Sequence, residues 1–125
     1  IMRKIKNVED ALALFELCTI IHDECNKSGD YRKSNKALDD KRKVIKYLLE
    51  NDSIQNLKVF YKSSNLFARL SAATYLAPID NENCYRIVKG IMDMNEGWAS
   101  FEAKYTLKEW TKVSSLEVYD KILSE

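Results

Sequence analysis

Apolar positions recur at helical spacing through the whole chain, and no stretch alternates apolar with polar in the manner of a strand. The first helix is expected from Val8 to Lys27. Asn7 is placed to cap it, with Glu9 and Asp10 in its first turn. Ala11, Leu12, Leu14, Phe15, Leu17, Cys18, Ile20 and Ile21 make it apolar almost all round, which predicts a helix buried between others. Gly29 stops it. Asp30 caps a second helix, Tyr31 to Glu50, with a stripe of Tyr31, Ala37, Leu38, Val44, Ile45 and Leu48 or Leu49. Arg32, Lys33, Lys36, Lys41, Arg42, Lys43 and Lys46 occupy its other face.

A short third helix is expected over Ser53–Tyr61, buried through Ile54, Leu57 and Phe60 or Tyr61. Ser63-Ser64-Asn65 turns the chain into a fourth, Leu66–Ala77, which Pro78 ends. Asn81 caps a fifth whose core face is Cys84, Ile87, Val88 and Ile91. Gly90 inside it costs ~1 kcal/mol against alanine, so close helix packing is expected there. After the turn Asn95-Glu96-Gly97, a sixth helix runs from Trp98 to Lys112. Ser114-Ser115 opens a short terminal helix carrying Leu116, Tyr119 and Ile122.

Shifting the fourth helix by 35 positions sets Ala68-Arg69 on Ala103-Lys104, Ala72 on Leu107 and Tyr75 on Trp110. Helical-hairpin repeats have periods of roughly 35–45 residues. The expected fold is therefore all-α: HEAT-like stacked helical hairpins, an α-solenoid fragment of six to seven helices in a single domain over residues 1–125.

The 125 residues, 46% hydrophobic and 31% charged, suit one folded globule with a real core. A net charge of +1 argues against a dedicated nucleic-acid binder. Three cysteines, Cys18, Cys25 and Cys84, form no CxxC pair and read as free thiols in a reducing compartment. No leader or membrane-spanning run is visible, so a cytoplasmic location and no membrane partner are expected. Ile1-Met2 reads as one added residue ahead of a natural start.

The segment Asn65-Leu66-Phe67-Ala68-Arg69-Leu70-Ser71-Ala72-Ala73-Thr74-Tyr75-Leu76 resembles the second helix of a HEAT repeat. Paired small residues there admit a neighbouring helix, and Arg69 is expected to reach a carboxylate or a helix C-terminus. Over Ala11–Trp110 the chain resembles a bacterial family catalogued as domain of unknown function two-thousand-nineteen. The likeness rests on Gly29-Asp30, Asn35-Lys36, the Arg69…Ala72-Ala73…Leu76 helix and the ending Ala103…Thr106-Leu107-Lys108-Glu109-Trp110. It implies a HEAT- or armadillo-like fold without known catalysis. The residues after Trp110 match nothing in it. Small proteins of this architecture also serve as immunity partners in bacterial toxin systems, a fold-level analogy.

Cys18, His22 and Cys25 lie at i, i+4 and i+7 and can be drawn as three zinc ligands or a Cys-His couple. No fourth ligand or orienting carboxylate has motif spacing, so neither metal, cofactor nor catalytic site is expected. The cations of the second helix could meet phosphates, but Asp39 and Asp40 sit among them at ion-pair spacing, as on a solvated helix face. On the sixth helix Ala99, Ala103, Leu107 and Trp110 form the expected core line. Trp98, Glu102, Tyr105 and Glu109 then share another face, with Phe67, Ser71 and Thr74 as the equivalent exposed positions of the fourth helix. Aromatics alternating with carboxylates suit a protein-binding face. Acids also outnumber bases from Asp80 to Glu102, which suits a basic partner. The functional expectation is a non-enzymatic protein-binding module, an immunity protein neutralising a cognate toxin, such as a nuclease, being its most concrete form. The alternative is a nucleic-acid-binding HEAT-like protein using the basic second-helix face.

Overall fold

The computed structural model describes residues 5–125; the reading of Ile1 and Met2 lies outside them. The described residues form seven α-helices, one 3-10 helix and no strand, so the fold is all-α. The helices are α1 (Val8–Ser28), α2 (Tyr31–Glu50), α3 (Leu66–Leu76), α4 (Asn81–Met94), α5 (Gly97–Lys108), α6 (Trp110–Val113) and α7 (Glu117–Leu123). None of them is long and apolar enough to cross a membrane. The chain divides into two compact units, one ending at Asn56 and one running from Leu57 to Glu125.

The first unit is the α1–α2 hairpin. Its ends follow the local chemistry. Asn7 accepts the Asp10 amide at 2.8 Å, Gly29 closes α1 in the left-handed region (φ 79°), and Asp30 accepts the Lys33 amide at 3.2 Å. Only one face of α1 is buried, through Ala11, Leu14, Phe15, Cys18, Thr19 and Cys25. Leu17 and Ile20 are exposed, against the expectation of burial all round. They lie on the side of the helix opposite to this buried face.

In α2 the buried line is Ala37, Asp40, Lys41, Val44, Ile45 and Leu48, while Tyr31 and Leu38 are exposed. Tyr31, Leu38 and Ile45 step by seven, and a seven-residue step drifts ~20° per repeat on a straight helix. Ile45 stays on the buried side and its two predecessors rotate off it. Lys41 is buried rather than solvated, because it lies one turn from both Ala37 and Ile45.

The link to the second unit is a 3-10 helix, Ile54–Phe60, where an α-helical turn was expected; Leu57 and Phe60 are buried. In the second unit α4 packs against α3 and α5, and α3 also touches α5. Asn65 caps α3 by accepting the amides of Phe67 and Ala68 at 3.0 and 3.3 Å. Ala72 and Ala73 are fully buried, as paired small residues at a helix contact should be. Arg69 reaches neither a carboxylate nor a helix end. Its Nε and Nη2 donate to the Ser63 carbonyl at 3.0 and 2.6 Å, fixing the turn that precedes its own helix.

The start of α4 differs from expectation. Asp80, not Asn81, is the N-cap residue, and its side chain caps no amide. Its carboxylate instead accepts from the Tyr61 hydroxyl at 2.8 Å and from Asn83 Nδ2 at 3.2 Å. Gly90 is exposed, and a Cβ built there would meet nothing within 4 Å, so close packing does not account for it.

The expected sixth helix is two helices. Glu109 breaks it, with φ −104° and ψ 17°, and its amide bonds to the Tyr105 and Thr106 carbonyls at 3.2 Å each. Trp110 therefore sits in α6, half-buried, with its ring 5.7 Å from that of Tyr85. Beyond it, α7 buries Tyr119 and Ile122, while Leu116 is exposed. The Tyr119 hydroxyl donates to the Tyr75 carbonyl at 2.7 Å, binding the last helix to α3.

Candidate docking face on the fifth helix

The position of α5 is set by its smallest side chains. Ala99, Ser100 and Ala103 are buried. Ser100 Oγ accepts the Glu96 amide at 2.8 Å and donates to the Ile91 carbonyl at 2.7 Å, joining the start of α5 to the end of α4. Asn95 and Gly97 turn the chain between these helices in left-handed conformations, each possible at little cost for its residue type.

With that side turned inward, Trp98, Phe101 and Tyr105 face out at i, i+3 and i+7. They are 48, 49 and 57% exposed. The rings touch in sequence. Trp98 and Phe101 have centroids 5.8 Å apart at 86°, and Phe101 and Tyr105 are 5.1 Å apart at 67°. Both are edge-to-face contacts, the favoured aromatic geometry. The Lys108 ammonium extends the row, 5.6 Å from the Tyr105 ring centroid.

The residues expected at this face are only partly brought together. Trp98, Glu102 and Tyr105 lie along α5, but Glu102 is half-buried. Glu109 falls in the break between α5 and α6 and lies 3.9 Å from Lys112, so it leaves the aromatic line. Phe67 is buried in α3, and Ser71 and Thr74 are half-buried. The cause for Phe67 is register: it precedes the buried Ala68 and lies one turn from the buried Leu70. Phe101 is the residue that the line through Trp98, Glu102, Tyr105 and Glu109 missed. Its signal was the i+3 step from Trp98 and the i+4 step to Tyr105. Lys104 and Lys108 are the exposed charges beside the rings, and neither has a carboxylate within ion-pair distance among the described residues.

The other candidates are weaker. Among the described residues no group of three or more His, Cys, Asp or Glu side chains is close enough to hold a metal. Cys18 and Cys25 are buried free thiols, and His22 is half-buried. Burial, with the Asp40 charge adding, pushes the Cys18 thiol up to about 11. Burial does the same to Cys84, also to about 11; Tyr61, whose hydroxyl oxygen is 3.3 Å from its sulfur, opposes the rise and Asp80 adds to it. Both thiols are thus held protonated at neutral pH, the opposite of what a nucleophile needs. On α2, Lys36 pairs with Asp40 at 3.4 Å and Lys41 is buried, so the expected cationic face is interrupted.

Comparison with family models, with curated proteins and with solved structures finds no match for the chain.

Proposed function

We propose that this chain is a non-enzymatic protein-binding module that docks its partner on the outer side of α5. The carrying observation is the row Trp98–Phe101–Tyr105: three half-exposed aromatics on one helix face, each in contact with the next. Large rings that keep about half their surface in water are the usual anchors of protein interfaces. The small buried residues behind them give the row a firm backing. The packing of α4 against α3 and α5, with Ala72 and Ala73 of α3 fully buried, supports a HEAT-like stack for this unit.

The most concrete form of this reading is an immunity protein that neutralises a cognate bacterial toxin. Of the carboxylates expected to suit a basic nuclease cleft, Glu102 is half-buried and Glu109 lies in the break after α5, while Glu82, Asp93 and Glu96 are exposed. The test is capture from the native cell with mass spectrometry, comparing the wild type with Phe101→Ala and Tyr105→Ala. A specific protein should be retained by the first and lost from both variants. A partner retained equally by all three, with unchanged circular dichroism, would move the site elsewhere. A toxin-domain gene immediately upstream is the expected neighbourhood for the immunity form.

A further inference from the structure

We infer that the segment docking on α5 is an acidic amphipathic helix; this rests on the protein-binding reading above and adds the chemistry of the partner. Charge around the aromatic row selects the partner. Lys104 and Lys108 stand one turn apart along its edge, ~6 Å in rise, and both are exposed. Three other lysines sit near carboxylates: Lys27 is 3.4 Å from Asp23, Lys36 3.4 Å from Asp40, and Lys112 3.9 Å from Glu109. Among the described residues Lys104 has no such partner, and the Lys108 ammonium rests on the Tyr105 ring. The single carboxylate within α5, Glu102, is half-buried. Along the edge of Lys104 and Lys108 a partner therefore meets rings and cations.

A helix fits this surface better than an extended strand. The rings at i, i+3 and i+7 form a narrow stripe ~10 Å long, matched by apolar residues at the same spacing on a facing helix. Carboxylates one turn apart on that helix would reach Lys104 and Lys108 together. No strand edge exists among the described residues for a peptide to extend. Single-stranded nucleic acid is the weaker fit. Successive rings already touch edge-to-face, so bases would have to part them to stack. Two lysines are also a short track for a phosphate backbone.

The probes are a fluorescein-labelled amphipathic peptide with leucines at helical spacing flanked by glutamates, its lysine-flanked twin, and a labelled oligothymidylate. Anisotropy gives affinity, and quenching of tryptophan emission reports contact near Trp98. The glutamate peptide should bind at least about tenfold more tightly than its twin, and more weakly as salt rises. Lys104→Glu with Lys108→Glu should invert that preference, which a merely structural role for the lysines cannot do. Phe101→Ala should weaken the glutamate peptide on the wild type and the lysine twin on the reversed variant. Equal or tighter binding of the lysine twin to the wild type overturns the acidic assignment. If Phe101→Ala still abolishes that binding, the aromatic docking face stands without it. Preference for oligothymidylate overturns the assignment in favour of nucleic acid. Binding of none of the probes also overturns it, and cellular capture then decides the docking face separately.

Discussion

Gly90 is a helical residue without a structural reason to be glycine: its φ is not positive, and the space around its missing Cβ is open. Gly90→Ala should therefore stabilise the chain by up to ~1 kcal/mol, through helix propensity and a less disordered unfolded state. Urea unfolding would show a raised midpoint at unchanged slope. Tyr119 is the opposite case. Its hydroxyl serves the Tyr75 carbonyl in the last turn of α3, where helix carbonyls lack partners within the helix. Tyr119→Phe keeps the ring and removes a buried hydrogen bond, so it should cost about 1–2 kcal/mol in the same measurement. A loss below the error of the fit would mean that the carbonyl finds another donor.

Capping explains why the helix starts were readable and why one was not. Asn7, Asp30 and Asn65 each accept an amide of their own first turn, as their positions in the sequence imply. Asp80 is drawn away by Tyr61, a residue 19 positions earlier, and no local pattern announces such a contact. The break at Glu109 is similar. Neither glycine nor proline marks it, so the sequence reads as one helix through to Lys112. Asn65→Ala should cost about 1 kcal/mol, since two amides lose their acceptor. Phe101→Ala should leave stability within about 0.5 kcal/mol, because an exposed ring contributes little to the core. A large loss would make the aromatic row structural and remove the main reason to treat it as a docking face.

For the chain as a whole, helix spacing was enough to give the all-α class, since every segment carries it. It was not enough to give the buried side of each helix. In α1 apolar residues surround the axis, so composition alone could not reveal that Leu17 and Ile20 are exposed. Of the candidate docking face, Trp98 and Tyr105 are legible in the sequence as exposed aromatics, whereas Phe67 is misplaced by register and Phe101 is missed. Four buried or half-buried groups give the fold a dependence on alkaline pH. Cys18 and Cys84 rise from 9.0 to about 11, and burial also holds Tyr61 and Tyr119 above their ordinary range. Each group binds its proton more tightly when folded. Their contribution is complete below pH 9 and declines as pH rises toward 11, because the unfolded chain releases protons first. Urea midpoints should accordingly fall between about pH 9 and pH 11, and Cys84→Ala should shallow that fall. A midpoint flat across this range would show that these thiols ionise in the fold as they do in the unfolded chain.

The middle ring of the α5 row has a thermodynamic consequence. Phe101 touches both neighbours, so each ring is restrained before any partner arrives. Ordering a free side chain at an interface costs about 0.5–1.5 kcal/mol, and here part of that cost is already met in the unbound state. Removing Phe101 would release Trp98 and Tyr105 as well as delete a ring. The effects of substitutions along the row should therefore not add: Phe101→Ala would exceed its own lost contact, and Trp98→Ala or Tyr105→Ala made on top of it would cost less than either alone.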